Sequence, residues 1–126
     1  MLNKLIFKLF LTTLLFLGSF QFSLAQEKTG LNRTLLLEKK LQLPNPNIHA
    51  KMIRVEFPFG YKTPWHTHEG PGPRYVVKGS LKVVDNGKTT LYSAGEVFWE
   101  TGALMTVENE GDDKAELIIF ELAPDK

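Results

Sequence analysis

Two histidines, His66 and His68, stand one residue apart in the stretch GYKTPWHTHEGPGPRYVVKG, Gly60 to Gly79. On an extended strand, residues two apart point to the same face, so both imidazoles would converge on one side of the chain. Two neutral imidazoles placed that way can supply two ligands to zinc, iron, manganese, nickel or copper. An HxH pair alone is equally compatible with two polar residues beside a loop. Glu69 follows His68 directly and is a third candidate ligand if the loop that begins there turns it inward. His49 is the only other histidine, and it reads as a surface or rim residue. No serine nucleophile elbow, Walker loop, CxxC or dinucleotide fingerprint is present.

The elements that must hold these residues are short strands. Runs suited to strands cover about residues 49–57, 75–77, 80–84, 89–92, 96–99, 104–108 and 115–122. Glycine, proline, asparagine and aspartate punctuate them. Asp85-Asn86-Gly87 between two alternating runs predicts a tight hairpin, because Asn and Gly accept the positive φ it needs. Leu31–Leu43 (LNRTLLLEKKLQL) fits either a helical turn or an edge strand, and Pro44 and Pro46 end it. Seven short strands with almost no helix predict an all-β sandwich or small barrel.

The N-terminus has a different character. Lys4 and Lys8, an apolar run from about Leu9 to Phe20, and Ser23-Leu24-Ala25 before Gln26 have the order of a secretory signal peptide, residues 1–25. The expected product is exported, periplasmic or secreted, with a single domain spanning residues 26–126 and no membrane attachment after cleavage. Two of the 15 basic residues fall in the leader, so 13 would remain against 14 acidic ones, a net charge of −1. That balance gives no reason to expect nucleic acid as a partner. The absence of cysteine excludes disulfides and a lipid-modified N-terminal cysteine.

Gly60, five residues, His66, one residue, His68, a Gly-Pro-rich loop, Tyr75-Val76-Val77 and Gly79 together resemble the first motif of the cupin superfamily. Residues 92–100 (YSAGEVFWE) and Val107-Glu108-Asn109 resemble the flanks of its second motif. The resemblance implies a double-stranded β-helix, a jelly-roll barrel of six to eight strands, often homodimeric, with a metal held by three histidines and a glutamate. This chain departs from that pattern twice. Gly72 stands where the glutamate belongs, and Met105, or Thr106 in the other alignment, stands where the third histidine belongs. Met105 is either a soft thioether beside the histidines or an apolar gap-filler.

Strand parity from Gly72 places Arg74 on the inner face, unless the flanking prolines shift it outward. A planar guanidinium grips carboxylates and phosphates and repels a nearby dication. Trp65, Tyr75, Tyr61, Phe98 and Trp99 could line a ligand pocket or simply fill a core. Two functions follow from these residues. One is a divalent metal or small molecule held through the two histidines. The other is a metal-free module that holds a small anion with Arg74 and both imidazoles.

Overall fold

The computed structural model describes residues 30–125. The expected signal peptide therefore lies outside the described residues. Seven strands form: β1 (Ile48–Phe57), β2 (Gly72–Lys78), β3 (Ser80–Asp85), β4 (Lys88–Ser93), β5 (Val97–Glu100), β6 (Met105–Asn109) and β7 (Ala115–Pro124). All belong to the unit Thr34–Lys126. They make two antiparallel sheets, one in the order β1-β7-β2-β5 and the other in the order β4-β3-β6. No helix occurs among the described residues.

The period of two in the sequence becomes the two faces of these sheets. Along β7 the inward positions are Ala115, Leu117, Ile119, Glu121 and Ala123, each alternating with a more exposed neighbour. β5 turns Phe98 and Glu100 to the same side, and β2 does so with Gly72, Arg74 and Val76. One end of the inner face is therefore apolar, with Val76, Phe98 and Leu117, and the other carries Arg74, Glu100 and Glu121. The apolar end joins Leu81, Val83, Val107 and Phe57 in the core. Burying each such side chain favours folding by about 1.5–3 kcal/mol. Tyr92 stacks on Phe98 with ring centroids 4.3 Å apart, tying β4 to β5.

The hairpin forms where the turn residues place it: Asp85 pairs with Lys88, leaving Asn86 and Gly87 at φ of 49° and 76° as its two-residue loop. Both values are positive, as this tight turn requires. Asn109, fully buried at the end of β6, uses its side-chain NH2 to reach the carbonyls of Phe57, Pro58 and Asp113, while its oxygen accepts from the Gly111 N–H. It thereby clasps the end of β1 to the loop before β7.

Leu31–Leu43 is neither the helical turn nor the edge strand that its composition allowed. Leu35, Leu36 and Leu37 are consecutive, so no helical stripe or strand face can gather all three. Leu35 and Leu36 are exposed and Leu37 is partly covered.

Candidate functional site

Residues 61–68 run beside β6 as an interrupted strand. The His66 N–H donates to the Met105 carbonyl at 3.0 Å, and the Met105 N–H returns to His66 at 2.9 Å. Thr63 and His68 donate to Val107 and Gly102 on either side of that pair. The donors step by three residues from Thr63 to His66, and a bend at Trp65 interrupts the regular ladder there. With this backbone extended, His66 and His68 both face a cavity of about 380 Å³. Glu56, Tyr61, Thr63 and Glu100 supply its other polar groups, and Val55, Phe57, Pro58, Val107, Leu117 and Ile119 its apolar wall.

The two imidazoles meet edge to face with centroids 5.0 Å apart. Nδ1 of His66 lies 2.9 Å from the Pro64 carbonyl. A carbonyl only accepts, so Nδ1 carries the proton, and in the neutral ring Nε2 keeps its lone pair. His68 is held by a carboxylate instead, with Nδ1 3.0 Å from Glu121 Oε2. Its Nε2 lies 3.0 Å from Glu100 Oε1. That second approach is not aligned as a hydrogen bond, and Oε1 of the buried Glu100 has no hydrogen-bond partner.

Behind His68 lies a chain of charges. Glu100 Oε2 accepts from Arg74 Nε at 3.0 Å, and Arg74 Nη1 donates to the Phe120 carbonyl at 2.6 Å. Glu121 Oε1 lies 3.7 Å from Lys51 Nζ, and Lys51 also pairs with Glu69. The hydrogen bond to Glu69 raises the Lys51 pKa above its ordinary value, against desolvation, and the charges of Glu69 and Glu121 add to the rise. Among the described residues, no three His, Asp or Glu side chains converge as a ready-made metal cage.

The residues singled out in the sequence thus separate into groups. His66 and His68 come together in the cavity. Glu69 does not join them: it sits in the bend that follows His68 and pairs with Lys51 at the surface. Arg74 faces inward, as its parity with Gly72 requires, but it is 0% exposed and closed off by Glu100 and backbone carbonyls. It therefore offers no surface to an anionic ligand. Met105 is fully buried in the apolar core cluster instead of lining the cavity, because its thioether packs with its apolar neighbours.

Trp65 and Tyr75 are exposed and lie outside the cavity lining. Phe98 and Trp99 border a separate hollow, and of the five aromatic candidates only Tyr61 lines the histidine cavity. His49 pairs with Asp125 at the surface.

Glu100 and Glu121 went unnoticed in the sequence. Their signal was present: each continues an inward-facing series, after Phe98 in one strand and after Leu117 and Ile119 in the other. A charged residue in an apolar parity series is either paired or functional.

The Cupin domain family model matches residues 53–121, a span running from β1 to β7 that contains His66, His68, Glu100 and Glu121. The chain belongs to the cupin family. Cupins often bind a divalent metal in the barrel. Among solved structures, this cupin is similar to one from Thermotoga maritima described as a predicted oxalate decarboxylase. The two share 30% identity at a TM-score of 0.50 over 56% of this chain and 64% of that one. The match thus spans less than two-thirds of the Thermotoga chain.

An RmlC-like cupin with a double-stranded β-helix fold from Methanocaldococcus jannaschii matches at 16% identity and TM-score 0.54, over 75% and 87% of the two chains. A cupin domain from Bordetella pertussis matches at 19% and 0.50, over 64% and 98%. At these two identities the likeness establishes the double-stranded β-helix alone. No curated protein matches the sequence.

Proposed function

We propose that this cupin is exported and holds a divalent transition metal in its cavity through His66 and His68, with room beside the ion for a small molecule. The observation that carries this is the commitment of both Nδ1 atoms, one to the Pro64 carbonyl and one to Glu121. Metal-ligating histidines are oriented this way, the outer nitrogen bound to a carbonyl or carboxylate and the inner one left to the ion. The cavity, about 380 Å³ with one largely apolar wall, is of a size that admits a small ligand. A bound ion would supply Lewis acidity or an activated water. The chain's own residues orient the imidazoles, and the apolar wall limits water around them.

Metal analysis of protein purified without a histidine tag tests the site. We expect about one zinc, iron, manganese, nickel or copper per chain, and under about a tenth of that in a His66→Ala, His68→Ala double variant. Equal metal contents in the two proteins would remove the proposal. Export is tested separately by the intact mass of protein expressed with its full N-terminus. A chain beginning at Gln26 supports it, and an uncleaved chain removes it.

A further inference from the structure

We infer that Glu100 supplies the carboxylate of this cation site, from the strand beside the one where the cupin pattern places it, and that Glu121 positions His68 behind it. The inference rests on the metal reading above. Gly72 and Glu100 are directly opposed in the β2–β5 ladder, and opposed residues of an antiparallel pair share a face. A carboxylate lost at Gly72 is therefore available one strand away, on the same side of the sheet. Position 72 could not carry it, because a Cβ there would sit 1.8 Å from the Phe120 carbonyl oxygen.

Two observations make Glu100 more than a structural partner of Arg74. The residue is 1% exposed and lines the cavity, yet its Oε1 has no hydrogen-bond partner. An orphaned buried carboxylate oxygen is costly unless something cationic or donating reaches it. In addition, Oε1 lies 3.0 Å from His68 Nε2 without the alignment of a hydrogen bond. Two ligands with bonds of about 2.1 Å are about 3.0 Å apart at the right angle of an octahedral ion and about 3.4 Å apart on a tetrahedral one, and their lone pairs aim at the ion instead of each other.

The charges agree with a cationic occupant. Among the described residues Glu100 and Glu121 are both buried, Arg74 is the one cation buried with them, and the partly exposed Lys51 approaches Glu121 at 3.7 Å. Arg74 occupies Oε2 and leaves Oε1 without a hydrogen-bond partner. The ligand set becomes His68 Nε2, Glu100 Oε1 and His66, an arrangement of two imidazoles and one carboxylate with open positions. Glu121 acts through His68: its hydrogen bond to Nδ1 fixes the ring and the tautomer.

The test is Co2+ titration of metal-stripped, full-length-domain protein, read by visible absorption, with Zn2+ competition for affinity. Wild type, Glu100→Gln, Arg74→Met/Glu100→Gln, Glu121→Gln and His66→Ala/His68→Ala are compared, with folding checked by circular dichroism. The double variant Arg74→Met/Glu100→Gln removes both buried charges together, so loss of folding does not stand in for loss of a ligand. It is expected to bind more weakly than wild type by over about 100-fold and to change the cobalt spectrum, whereas Glu121→Gln loses about 10- to 100-fold.

If the histidine variant loses the metal but Arg74→Met/Glu100→Gln stays within about threefold of wild type with an unchanged spectrum, the Glu100 assignment is overturned and the histidine site stands. If wild type itself binds neither ion, both fail. A crystal of the Zn2+-loaded wild type gives a mutation-free check. An anomalous peak bonded to Glu100 Oε1 at about 2.1 Å supports the assignment, and a peak on the histidines alone overturns it.

Discussion

Gly72→Ala should destabilise this barrel by about 4 kcal/mol or more, enough to leave a marginal domain largely unfolded. The Cβ would stand 1.8 Å from the Phe120 carbonyl oxygen and 2.9 Å from its carbon. Both are backbone atoms of β7, which is itself held between β1 and β2. No rotamer change relieves such a contact, so the β2–β7 ladder must part, and Arg74 Nη1, 3.0 Å from the added atom, would be driven from its place beside the Phe120 carbonyl. Gly72→Glu, which writes the cupin glutamate back into the sequence, should fail for the same reason and restore no metal ligand.

Gly60→Ala is the informative control. Unlike Gly72 it has a positive φ, 70°, but nothing lies within 4 Å of its added Cβ, so it should cost only about 1 kcal/mol. Urea unfolding of the three proteins measures the difference. A Gly72→Ala midpoint equal to that of Gly60→Ala would show that β2 and β7 are not pressed together as described.

The second large effect concerns the buried pair of Arg74 and Glu100. Removing either charge alone, as Arg74→Met or Glu100→Gln, should cost about 3–5 kcal/mol, because the partner is left charged in the interior. Both side chains are essentially inaccessible, at 0% and 2%, so water cannot take over the lost contact. Arg74→Met/Glu100→Gln should recover most of that loss, since neither charge then remains to be desolvated. Arg74 Nη2 already lacks a hydrogen-bond partner, which lowers what the pair contributes to stability and favours this recovery. A double-mutant cycle in urea reads the coupling directly. Single variants within 1 kcal/mol of wild type, or a double variant as unstable as the sum of the two, would contradict it.

These two effects explain how a metal-site pattern can lose its glutamate without losing a carboxylate. With the position on β2 reduced to a glycine against the β7 backbone, the next residue on that face is an arginine, and a glutamate on β5 meets both it and His68. The guanidinium, which would repel a dication if bare, is neutralised by the same side chain whose other oxygen lies 3.0 Å from His68 Nε2.

Much of the architecture was already legible along the chain. The seven strands fall within a few residues of where alternation and turn residues place them, because both signals are local: a period of two, and the φ values that Asn86 and Gly87 accept. The same parity put His66 and His68 on one side, while for Arg74 it left the inner face and an outward shift by the flanking prolines both open. Leu31–Leu43 resisted because a run of consecutive leucines has no period to read.

The contacts that complete the site are of another kind. Glu100 and Glu121 stand 26 residues from Arg74 and 53 from His68 respectively, and nothing local states that β5 and β7 flank β2. Only the strand order β1-β7-β2-β5 decides that one buried carboxylate faces Arg74 and the cavity while the other takes the back of His68. Parity told which way each side chain turns; the pairing of distant strands, set by burial of the whole inner face, determined what it meets.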